Sequence, residues 1–214
     1  TRYIGVTGVQ TCALPISLGG TDVTGSKPEK ISRHGLGRSY QKTNIFAPFT
    51  VWENVRLAAQ SRDAQQPWNP LRWIQAAARS ARANERANRA IELAGLSARR
   101  NVIAGASSHG EQRQLEIAMT LATEPQVLLL DEPLAGMGAE ETERMLDLLH
   151  NLKRGHAILL VEHDMDAVFR VADRITVMVD GSVLASGTPD EVRHNQQVQD
   201  VYLGGHDAAA SSHP

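Results

Sequence analysis

Two adjacent carboxylates, Asp131 and Glu132, are the residues of this sequence best suited to do chemistry. They follow the apolar run 127–130 and precede Pro133. Such a run predicts a buried β-strand, which would deliver both acidic groups to one edge of a sheet. There one carboxylate can hold a metal ion while the next orients a water molecule for attack on a phosphate. Taken alone, the pair fits a capped strand with two solvated carboxylates equally well, because short motifs have many false matches.

A second candidate site is the segment Ser-Ser-His-Gly-Glu-Gln at 107–112, upstream of the acidic pair. Small residues before a helix direct backbone N–H groups and the positive helix end toward an anion, and Ser108 adds a hydroxyl donor. Ser108 and Glu111 also have the spacing of a capping box, which predicts an ordinary helix start. Both interpretations can hold at once.

A third candidate is His163, which follows the apolar run 157–161. A neutral imidazole there could both donate and accept hydrogen bonds near a phosphate. The alternative is a structural or merely exposed histidine.

In this order, the three segments resemble the motifs of the ATP-binding subunits of ABC transporters. The resemblance implies that Asp131 holds magnesium, that Glu132 is the catalytic base and that His163 is the switch histidine. It implies that Ser108, His109, Gly110 and Glu111 form a signature facing a nucleotide held by the opposite subunit. Gln41 matches the glutamine that reaches magnesium and couples to the membrane subunit. Ser107 and His109 depart from the usual signature LSGGQ, and the turn 135–138, Ala-Gly-Met-Gly, lacks its usual final Asp or Asn.

The implied fold is α/β, a P-loop NTPase-like nucleotide-binding domain at 18–205 with a helical arm at about 51–122. The implied cofactors are ATP and Mg²⁺. The implied partners are transmembrane permease subunits and a second ATPase subunit, identical or different, and the location is the cytoplasm, on the inner face of the membrane. The resemblance is closest to branched-chain amino acid importers, on the residues Asn54-Val55, the turn 135–138, the segment 187–192 and Tyr202-Leu203-Gly204-Gly205.

The phosphate loop G-x-x-x-x-G-K-[ST] does not occur in this sequence. Gly20 to Lys27 comes close, but Ser26 separates Gly25 from Lys27, and Pro28 stands where a helix should begin. We therefore expect a fragment that lacks the first strands and the phosphate loop and is inactive alone. Residues 1–17 show no periodicity and are expected to be a foreign leader, the alternative being a divergent N-terminus. Residues 206–214 are expected to form a flexible tail.

Composition sets broader limits on function. The chain has 214 residues, 42% hydrophobic and 21% charged, which is typical of one globular domain. Its formal net charge of -2 gives no reason to expect nucleic-acid binding. Cys12 is the single cysteine, and no apolar run approaches the roughly 20 residues that cross a bilayer.

The elements that must position these residues follow from periodicity. Helices are predicted within 51–96 and 139–154, the latter stopping at Gly155. A buried strand is predicted at 157–161, a helix capped by Asp164 comes next, and a hairpin is predicted around Asp180-Gly181. Two rival functions remain open: a non-catalytic interaction subunit, and a soluble ABC-type ATPase acting on DNA or ribosomes.

Overall fold

The computed structural model describes residues 15–39, 44–61 and 72–201. For residues 72–80 it describes the backbone only. Most of the predicted leader, Gln41, the tail and the segment 202–205 lie outside these residues.

Three helices lie within the range 51–122 that was predicted to form a helical arm: α2 (Val51–Ser61), α3 (Arg72–Leu93) and α4 (His109–Leu121). Each is amphipathic, and α2 packs against both α3 and α4. Their shared core includes Val55, Ala87 and Leu115, all essentially inaccessible to solvent.

A parallel sheet carries the acidic pair. Its order is β3 (Leu36–Arg38), β4 (Val127–Asp131) and β5 (Ala157–Val161), so the predicted strand before Asp131 is confirmed. Helix α4 precedes β4, and α5 (Ala139–Leu152) separates β4 from β5. Because parallel strands end at the same edge, the residues after β3, β4 and β5 are brought to one side of the sheet.

The strand β5 exists as predicted, but the expectation that it is buried was wrong. Leu159 and Val161 are 60% and 54% exposed. Within the described residues β5 pairs only with β4, so it is an edge strand with one uncovered face.

The carboxyl-terminal elements include the predicted cap at Asp164 and the predicted turn. Asp164 accepts a hydrogen bond from the Ala167 amide and starts α6 (Met165–Val171). Strands β6 (Ile175–Val179) and β7 (Ser182–Gly187) form the predicted hairpin, with Asp180 and Gly181 at φ values of 47° and 78°. Positive φ at both turn residues is the requirement of a type I′ turn. Helix α7 (Pro189–Arg193) follows. Helix α5 ends at Leu152, two residues before the predicted end, and its C-cap is Lys153, so the expectation that it stops at Gly155 was wrong.

The segment that came close to a phosphate loop, 20–27, ends at Lys27, which is the N-cap of a short helix. Strands β1 (Ser17–Leu18) and β2 (Thr21–Asp22) form a short hairpin, and a helix of only six residues, α1 (Pro28–Arg33), comes later. The expectation that Pro28 opposes a helix was wrong. Proline suits the first helical position, because its missing N–H would have no partner inside the helix.

Candidate functional site

The carboxyl end of β4 presents the two carboxylates in different backbone settings. Asp131 is the last residue of the strand, and its amide donates to the Ser39 hydroxyl at 3.3 Å. The Glu132 amide donates to the Val161 carbonyl at 2.9 Å, while its φ of 46° lies in the left-handed region. A non-glycine residue held there stores conformational strain, and such strain concentrates at functional sites.

The predicted base and the predicted switch histidine are neighbours. The His163 Nδ1 lies 3.6 Å from Glu132 Oε1, slightly too far for a direct hydrogen bond. His163 is 75% exposed and Glu132 is 32% exposed. Both side chains can therefore contact one ligand at the sheet edge.

Sequence reasoning gave no role to Glu162, whose side chain binds backbone amides next to this pair. Its side chain is only 1% exposed. One carboxylate oxygen accepts from the Leu134 amide at 2.9 Å, and the other accepts from the His163 amide at 3.3 Å. Glu162 thus ties the turn after Glu132 to His163. The signal that could have identified Glu162 in the sequence is its place as a charged residue between an apolar strand and a candidate histidine.

The start of α4 is built as the capping box predicts. Ser108 accepts from the Glu111 amide at 3.3 Å, and Glu111 accepts from the Ser108 amide at 3.1 Å. The Glu111 carboxylate also pairs with Arg99 at 2.8 Å. Glu111 therefore stabilises the start of α4, independently of any contact that it makes with another subunit.

A carboxylate from α5 contacts this helix end. Glu141 Oε1 accepts from the Ser108 hydroxyl at 2.7 Å and from the Gly110 amide at 3.3 Å. The Ser108 hydroxyl, as the largest cause, lowers the pKa of Glu141, so the group is charged at neutral pH. A Cβ on Gly110 would lie 2.7 Å from Glu141, so glycine is required for this approach. The donors predicted to face a phosphate are thus able to hold an anionic oxygen.

His109 joins the helix end to the turn after Glu132. Its Nε2 lies 3.2 Å from the Ala135 carbonyl, beside Gly136, whose φ is 73°. This contact links α4 to the turn 135–138 that follows the acidic pair.

Gln41, predicted to reach magnesium, lies outside the described residues. Within 15–39, 44–61 and 72–201 no group of three His, Cys, Asp or Glu side chains could hold a metal ion. Asp131, the last residue of β4, is the predicted magnesium ligand that the structure describes. Magnesium usually keeps waters and phosphates among its ligands. A site with few protein ligands therefore suits a magnesium ion that binds together with its nucleotide.

A family model described as ABC transporter matches residues 14–135, and one described as branched-chain amino acid ATP-binding cassette transporter matches residues 182–208. The chain belongs to the ABC transporter ATP-binding family.

Relatives within this ABC family agree with the match. The chain is 37% identical over 192 residues to the high-affinity branched-chain amino acid transport ATP-binding protein LivG of Salmonella typhimurium, covering 88% of this chain and 75% of LivG. It is 38% identical over 193 residues to the corresponding protein BraF of Pseudomonas aeruginosa, with the same two coverages. The solved ATP-binding cassette MJ1267 shares the fold, with a TM-score of 0.70 and 24% identity over 86% of this chain and 74% of MJ1267.

The family membership confirms the predicted α/β cassette fold and the ATPase class, since members of the ABC family hydrolyse ATP as transporter subunits. None of the helices in the described part of the chain is long and apolar enough to cross a membrane.

Proposed function

We propose that these residues are the catalytic and signature portion of an ATPase subunit that powers an ABC importer of branched-chain amino acids or related small solutes. The observation that carries the proposal is the meeting of Glu132 and His163 at the ends of β4 and β5, 3.6 Å apart. The similarity to LivG and BraF and the match at 182–208 both support the solute class.

Each residue has a role in this proposal. Glu132 accepts the proton of the attacking water, and His163 donates a hydrogen bond to the γ phosphate oxygen beside it. Asp131 holds magnesium directly or through water, together with Gln41. Magnesium, when bound with ATP, neutralises charge on the phosphates.

The signature end serves a second subunit. Ser108 and Gly110 donate to the γ phosphate that the partner subunit holds, and their contact with Glu141 supports the anion preference. The dimer attaches to permease subunits at the cytoplasmic face of the membrane. The experiments use the natural protein that contains these residues, named here the full-length protein; the 214 residues themselves do not contain the phosphate-loop motif.

The test is Glu132→Gln in the full-length protein, purified and assayed for ATP turnover and nucleotide binding. Loss of the base should lower turnover by about 10²- to 10⁴-fold. ATP affinity should be unchanged, because the phosphate contacts remain. The matched control is Glu140→Gln, an exposed carboxylate on α5, which should leave turnover unchanged. Turnover of Glu132→Gln equal to that of the control would exclude Glu132 as the base.

One observation favours a second function, a non-catalytic interaction subunit: the phosphate-loop motif is absent from the 214 residues. In that case the full-length protein would dimerise without hydrolysing ATP at its own site. The same turnover assay on the unmodified protein separates the two functions.

A further inference from the structure

Glu162 carries a carboxylate whose side chain is almost completely buried, at 1% exposure. A buried charge is unfavourable unless an opposite charge or hydrogen bonds replace the water that it loses. Within the described residues, no Lys or Arg side chain forms an ion pair with Glu162. Its two oxygens instead accept from two backbone amides, those of Leu134 at 2.9 Å and His163 at 3.3 Å.

The Leu134 amide needs this acceptor because it lies beyond the paired strands. Pairing between β4 and β5 stops where β4 stops, and the next amide, that of Glu132, still donates to the Val161 carbonyl at 2.9 Å. Pro133 then has no N–H, and Leu134 is only 7% exposed. A buried backbone amide without a partner is costly, so the Glu162 side chain supplies the acceptor that the sheet no longer offers.

The bonds at positions 132 and 134 together restrict the backbone of Glu132. Its φ is 46°, a left-handed value that a residue with a side chain keeps only when its surroundings impose it. If the Leu134 amide loses its acceptor, the turn can relax toward an ordinary backbone conformation. The Glu132 carboxylate then moves away from the His163 ring, which lies 3.6 Å from it.

We propose that Glu162 is a positioning residue, which keeps the Glu132 carboxylate and the His163 backbone in place through its two oxygens. The inference rests on the proposed function, because that function makes Glu132 the base. Stability alone would not require a charge here, since a neutral amide oxygen accepts hydrogen bonds without the cost of burying a carboxylate. Glutamate accepts through two oxygens and glutamine through one, and each oxygen of Glu162 serves one of the two segments.

Two variants of the full-length protein separate positioning from stability. Glu162→Gln keeps one acceptor oxygen, whereas Glu162→Met has a similar length and keeps none. We expect kcat per nucleotide-binding site to fall about tenfold or more in Glu162→Met and about threefold or less in Glu162→Gln, with the parental KM for ATP in both. Counting binding sites by calorimetry removes the effect of any unfolded fraction. Parental kcat per site in Glu162→Met, with only a lower melting temperature, would overturn the proposal.

Glu162→Asp decides the matter if Glu162→Met does not fold. It keeps the charge, but its side chain is one carbon shorter and cannot reach both amides. We expect its kcat per site to fall below that of Glu162→Gln, and an equal or higher value would overturn the role of Glu162.

A double-mutant cycle tests whether the effect passes through the base. In the Glu132→Gln background, the change at Glu162 should lower the residual turnover by a smaller factor than in the parent, because the base is already missing. The same factor in both backgrounds would contradict the proposal while leaving the proposed function intact. Parental turnover of Glu132→Gln itself would mean that the proposed function has failed.

Discussion

At the scale of single residues, the Ser108 hydroxyl already donates its only proton. It accepts from the Glu111 amide and donates its one proton to Glu141. A phosphate that takes a hydrogen bond from Ser108 must therefore displace the Glu141 carboxylate. The pKa of Glu141 is lowered from its ordinary 4.5 by this contact. The contact therefore stabilises the fold above pH 4.5, and the stabilisation is lost as the pH falls through the lower pKa that Glu141 has in the folded protein.

We expect Glu141→Ala to strengthen ATP-dependent dimerisation, because the competing carboxylate is gone. In the full-length Glu132→Gln protein, sedimentation velocity should show a dimer dissociation constant about tenfold lower. Glu140→Ala, at the exposed neighbouring position, should leave the constant unchanged. Ser108→Arg should prevent dimerisation, since a bulky side chain obstructs the opposing phosphate. Weaker or equal assembly of Glu141→Ala would mean that Glu141 supports the signature instead of competing for it.

At the scale of elements, the hydrogen bonds of one asparagine connect the start of α2 to the loop before it. Asn54 is inaccessible to solvent, and its Oδ1 accepts from the Phe46 amide at 2.7 Å. Its Nδ2 lies within hydrogen-bonding distance of three carbonyls, those of Phe46, Phe49 and Thr50. This explains why an asparagine within an apolar helix face is compatible with the core.

Asn54→Ala should lower the free energy of unfolding by about 2–3 kcal/mol, because buried backbone groups lose their partner. Urea unfolding followed by circular dichroism measures the change on the chain as it stands. Asn88→Ala is the control, since Asn88 is exposed and accepts one bond from the Trp52 indole at 3.3 Å. It should change stability by no more than about 0.5 kcal/mol. Equal losses in the two variants would contradict the role of Asn54.

At the scale of the whole molecule, the 214 residues contain the groups proposed for catalysis and for the signature, while the phosphate-loop motif is absent from them. Backbone amides and a lysine of such a loop supply most contacts to the phosphates of a nucleotide. We therefore expect calorimetry on this chain to show little ATP binding at millimolar nucleotide. The full-length protein should bind stoichiometrically under the same conditions. Stoichiometric binding by the 214 residues alone would show that another part of the chain forms a phosphate cradle.

The sequence by itself determined the features that depend on residues a few positions apart. These include the strand before Asp131, the capping box of Ser108 and Glu111, the Asp164 cap and the hairpin at Asp180-Gly181. Their order along the chain was also enough to identify the family, which the relatives confirm.

Only the tertiary structure decided which distant groups meet. Glu141 reaches Ser108 across 33 positions, and Glu116 reaches Asn44 across 72. It also decided that Leu159 and Val161 on β5 are exposed and that Glu132 has a left-handed backbone. The physical reason is that periodicity and capping report local hydrogen bonds and the apolar face of one element. Contacts between elements depend on how those faces pack, and single-sequence spacing does not encode that packing.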